Sequence, residues 1–176
     1  MKSIEFYNTW IELVNSNKES LLDEWRNSVN FTKKIITDDN SIICQLANKN
    51  NLLCYNRDYY AIDAVLYKNE DLVPDLNQNS IWLRDIKVAF EHENDFNSGL
   101  YQEVAHLLIT NAELKVLVSY PDYEPDEELA FLHKVISNTR HSDNLSKHQN
   151  FLVIFGYEKG YSWEGYLYHK ESWLRI

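Results

Sequence analysis

The hydrophobic period changes along this chain, and the order of the changes limits the folds open to it. Through the first thirty residues Trp10, Leu13 and Val14, then Leu21, Leu22 and Trp25, recur at three- and four-residue spacings among charged side chains. That is the period of an amphipathic helix. Asn15-Ser16-Asn17 interrupts it and predicts two helices rather than one. Asp38-Asp39-Asn40-Ser41 supplies capping side chains ahead of Ile42, Ile43 and Leu46, so a short third helix is expected there. The period then falls to two. The stretches 59–67 and 81–91 read as apolar strands joined by a polar loop over 68–80, the second strand carrying Ile86, Val88 and Phe90 on one face.

Beyond Gly99 the helical period returns through Leu100, Val104, Leu107 and Leu108, and the stretch 114–120 reads as a buried strand stopped by Pro121. Pro125-Asp126-Glu127-Glu128 suits the first turn of a further helix carrying Leu129, Leu132, Val135 and Ile136. Phe151 to Phe155 and Ser162 to Tyr168, around Gly156 and Gly160, predict a terminal β-hairpin. The expected fold class is therefore α/β, a mixed central sheet flanked by helices with a C-terminal β-hairpin. No linker or repeat divides the 176 residues, which predicts one domain: N-terminal helices over 1–50, an α/β core over 51–120, then a helix and hairpin over 121–176.

Composition removes several function classes. No apolar run approaches the ~20 residues of a membrane span, and Met1-Lys2-Ser3-Ile4-Glu5 lacks a secretory-signal pattern, so a cytoplasmic protein with no membrane partner is expected. Cys44 and Cys54 form no C-x-x-C pair and read as reduced thiols. Four glycines, none in phosphate-loop order, exclude a P-loop, and no nucleophile elbow is present. The six histidines have no metal-ligand spacing, and most read as surface residues. A formal charge of −10 repels nucleic acid unless a basic face or metal ions offset it locally.

Against that background the carboxylates inside the apolar strands stand out. Asp63 interrupts Ala61-Ile62-Asp63-Ala64-Val65-Leu66, where an unpaired buried carboxylate costs several kcal/mol. Glu91 and Glu93 end the next strand and project from one face about 7 Å apart, with His92 pointing the other way. If the strands pair, three carboxylates converge at one end of the sheet. A hard divalent cation would neutralise them, as in a magnesium site, and would favour phosphoryl chemistry. The bland alternative is an ion pair of Asp63 with Arg57 or Arg84 and a solvated strand end at Glu91 and Glu93.

This order of helix, strand with Asp, strand ending in Glu, helix and strand resembles the core of the PD-(D/E)XK, or restriction-endonuclease-like, nuclease superfamily over about residues 1 to 120. The family's first acid corresponds to Asp63, without the preceding proline, and its Glu-x-Lys element to Glu91-His92-Glu93, with Glu93 in the lysine position. The resemblance implies Mg2+ or Mn2+ held by Asp63 and Glu91, and water oriented or activated by Glu93. Lys87 shares the strand parity of Glu91 and is a candidate for the missing lysine. Gln102 and Glu103 resemble polar residues that several branches contribute from the following helix. The expected activity is metal-dependent cleavage of nucleic-acid phosphodiesters. The alternative is a non-catalytic acidic module, such as an antitoxin or immunity-type partner of a basic protein.

Overall fold

The computed structural model describes residues 1–74 and 81–176. The polar loop expected over 68–80 thus lies partly outside the described residues; its described start forms a short 3-10 turn, Asn69–Asp71. Helices α1 (Ser3–Ser16) and α2 (Lys18–Glu24) divide at Asn17, whose side-chain amide donates to the Leu13 carbonyl. A short α3 (Ser28–Thr32) runs into a π-helical turn, Lys33–Thr37. Helix α4 (Ile42–Lys49) is capped by the Ser41 hydroxyl, as its sequence predicts.

Seven strands follow in one open mixed sheet, ordered β1 to β7 as in the chain: β1 (Leu53–Tyr55), β2 (Ala64–Tyr67), β3 (Val88–Glu93), β4 (Leu114–Ser119), β5 (Phe151–Tyr157), β6 (Ser162–Tyr168) and β7 (Trp173–Arg175). The three central strands β3, β4 and β5 are parallel, and the outer pairings are antiparallel. Parallel neighbours need crossovers, and helices supply them. Helix α5 (Tyr101–Ile109) links β3 to β4, and α6 (Asp126–Ser137) with α7 (Ser142–His148) links β4 to β5.

Strand alternation divides the core into two layers. Val88, Phe90, Val116 and Val118 face α1 and α4, where Phe6, Trp10 and Leu46 are buried. Val65, Ala89, Leu117 and Val153 face α5 and α6, against Val104, Leu107, Leu132 and Ile136. Such double coverage is what a parallel sheet requires, and it accounts for strands that are apolar on both faces.

Two expected strands are shorter than their sequence suggests. Tyr59 and Ile62 exchange backbone hydrogen bonds across a two-residue turn in which Tyr60 (φ 54°) and Ala61 (φ 66°) are left-handed, so β2 begins only at Ala64. Residues 81–87 are likewise outside the strand, and β3 begins at Val88. Because the chain is not extended before Val88, Ile86 packs in the α5 layer rather than beside Val88 and Phe90. Among the described helices none is long and apolar enough to cross a membrane.

Candidate functional site

Register brings the first two carboxylates together. Ala64 pairs with Phe90 and Val65 with Ala89, so Asp63 and Glu91 occupy the next opposed position, on the face turned to α5. The Asp63 N–H donates to Glu91 Oε2 (3.2 Å), and the His92 N–H donates to Asp63 Oδ2 (2.8 Å). Asp63 therefore stands at the mouth of β2 rather than within it, its own N–H donating to the Glu91 side chain and its carboxylate accepting from the backbone of β3. Neither Arg57 nor Arg84 forms an ion pair with it among the described residues. Arg84 donates instead to the Glu70 carbonyl.

Glu91 is only 3% exposed. Burial, then the Asp63 charge, push its carboxyl up to about 9, so it keeps a proton at neutral pH. Asp63 is raised as well, chiefly by burial, against the His92 N–H that favours its charged form. The half-buried Glu93 is raised by burial and by Glu103, while its Oε1 accepts from the Asp95 N–H at 2.6 Å. Asp63, Glu91, Glu93 and Glu103 thus form one electrostatically linked group between the end of β3 and the first turns of α5.

Helix α5 completes the cluster. Val104 and Leu107 seat it on the sheet, and Glu103 and His106, three residues apart on a neighbouring stripe, turn toward β3. His106 Nδ1 lies 3.3 Å from Glu91 Oε1, yet the two are not aligned as a hydrogen bond, and Oε1 is buried without a partner among the described residues. Glu103 Oε2 is likewise buried and unpartnered. His106 is the member that sequence reading missed. Its spacing from Glu103 is the only signal, and it becomes informative once the rotation of α5 is fixed.

Two candidates do not join the group. Lys87 shares the parity of Glu91 but lies at the opposite end of β3, where its ammonium meets Asp85 (2.6 Å), Glu113 (2.8 Å) and Asp71 (3.4 Å). Three carboxylates claim that charge, so Lys87 does not substitute for the missing lysine. Gln102 is exposed and donates to the Tyr101 hydroxyl. His92 points away as expected, but it is buried rather than solvated: Nε2 meets the Tyr120 hydroxyl at 2.8 Å, and desolvation holds its pKa down to about 3.

The donor set suits a hard cation in kind, since it consists of carboxylate oxygens, two of them buried and unpartnered. As the side chains lie, no three His, Cys, Asp or Glu among the described residues are grouped to hold an ion. Magnesium is commonly held by one or two carboxylates plus waters and substrate phosphate, and the adjacent Asp63 and Glu91 meet that lower requirement. Comparison with protein-family models, with curated proteins and with solved structures found no match to this chain.

Proposed function

We propose that this chain is a metal-dependent hydrolase of nucleic-acid phosphodiesters, related to the PD-(D/E)XK nucleases. The observation that carries the reading is the opposed Asp63–Glu91 pair, in which a carboxyl only 3% exposed leaves one oxygen without a partner among the described residues. A protein gains nothing in stability from that arrangement, whereas a divalent cation would displace the proton and satisfy both acids. Asp63 and Glu91 would hold Mg2+ or Mn2+. Bound there, the ion supplies charge neutralisation at phosphate and a water of lowered pKa.

Glu93 would orient the attacking water and take its proton as the new P–O bond forms and the leaving oxygen departs. Charge opposing phosphate repulsion would come from Lys33, which is exposed and has no carboxylate partner among the described residues. Lys33 borders a shallow cavity of about 380 Å3 with Thr32 and Asn94, the residue after Glu93.

The test is cleavage of labelled single- and double-stranded DNA and RNA with Mg2+ or Mn2+. Activity is expected in the wild type and should fall at least about a hundredfold in Glu91→Ala and in Glu93→Ala. A wild type that cleaves none of these substrates and is not stabilised by either ion would overturn the reading. In that event the acidic-module alternative gains. It is favoured by the charge of −10 and by a cavity of about 500 Å3 beyond β4 and β5 in whose lining Asp122, Glu124, Glu158 and Glu164 outnumber Arg26 and Lys159.

A further inference from the structure

A separate cavity, of about 330 Å3, lies toward the other end of the sheet, between the close of α5, the start of β4 and the connection from α6 to α7. Its charged lining runs against the charge of the whole chain. Lys115 and Arg140 border it together with His141, and no carboxylate does so among the described residues. Lys115 is the second residue of β4 and is 6% exposed. A buried ammonium is normally paired with an acid, yet this one donates to the Thr110 carbonyl. Desolvation holds its pKa down to about 8.

Arg140 Nε donates to His141 Nε2 (2.9 Å). The contact occupies Nε and leaves the outer guanidinium fork without a protein partner among the described residues. Asn111 and Asn144 add amide groups to the lining, and Asn150 Oδ1 is buried with no hydrogen-bond partner among the described residues. Cations and amides converging on a recess without competing acids form the donor set that tetrahedral oxyanions select.

We propose that this cavity binds the phosphoryl group of a small soluble molecule, with Lys115 as the buried counter-charge and Arg140 as the donor at the entrance. Its volume exceeds that of one phosphate and reaches the lower range of small-molecule sites, which leaves room for an organic portion. The bound anion returns the charge that burial takes from Lys115. Arg140 and His141 are the titratable groups facing it across the cavity. The parts of α5 and α7 that line the recess contribute none among the described residues.

Titration calorimetry with inorganic phosphate tests this on the full chain. Phosphate should bind the wild type, and Lys115→Met and Arg140→Ala should each lose at least tenfold in affinity. Sulfate keeps its charge between pH 7 and 9, so its affinity should fall about tenfold over that span as Lys115 has to take up a proton. Arg140→Ala, altered at an exposed position, keeps the test valid if Lys115→Met fails to fold. Absence of phosphate binding at 10 mM, or equal affinity in wild type and Arg140→Ala, would overturn the proposal.

Discussion

Replacing Glu91 with glutamine should remove a pH dependence that one proton imposes on the whole fold. The folded-state pKa of Glu91 is raised from 4.5 to about 9, so between those values the folded chain holds a proton that the unfolded chain has released. Stability from this group is fully present below pH 4.5 and is lost as pH rises toward 9. The slope is about 1.4 kcal/mol per pH unit. Between pH 5.5 and 7.5 the wild type should therefore lose about 2.7 kcal/mol relative to Glu91→Gln. For a chain of this size that is a Tm difference of roughly 8 °C. Asp63 is raised too, and the two acids titrate as a pair. Urea denaturation at pH 5.5, 6.5 and 7.5 in the presence of a chelator measures the slopes directly. Parallel lines for the two proteins, within about 0.5 kcal/mol, would show that Glu91 is ionised in the folded chain and would refute the reasoning.

Two further outcomes follow from the surrounding structure. Lys87→Met should cost about 2 to 4 kcal/mol in denaturant unfolding, because it strands the buried Asp71 carboxylate 3.4 Å from the lost ammonium; a loss below about 0.5 kcal/mol would count against that role. Ala61→Gly should stabilise the chain by roughly 0.5 kcal/mol, since relief of the left-handed φ of 66° outweighs the entropy cost of glycine; a destabilised variant would mean that Ala61 is not left-handed in solution.

The layered architecture was legible because apolar periodicity reports burial directly, and the switches from α5 to β4 and from β4 to α6 are where the pattern puts them. Strand limits were less so. Two-residue turns of this hand normally announce themselves with Asn or Gly, and Tyr60-Ala61 offers neither, so the apolar run from Tyr59 reads as continuous. Strands β1 and β7, at three residues each, are too short to show a period. Helix α7 buries little more than Leu145 and Ser146 and leaves a correspondingly faint trace. At the site, alternation supplied the shared face of Glu91 and Glu93, and pairing register supplied Asp63. Parity says nothing of which end of a strand a residue occupies, which is how Lys87 was drawn in. Lys115 escaped notice because a lysine in an apolar run looks like an outward-facing residue until the covering helices are known.

The two outermost strands carry a consequence for how this molecule keeps to itself. A sheet with unpaired borders is a template for further strands, and a long flat border invites another copy to add to it. Here β1 and β7 offer three residues each. In β7 the exposed Arg175 guanidinium is drawn back to Glu164 on the neighbouring strand, which sets an ion pair beside the border. The longer strands β3 to β6 lie inside the sheet, each with both neighbours already in place. Lengthening either border strand with alternating valine and threonine would remove this protection, and fibrillar or soluble self-association would be the first sign of it.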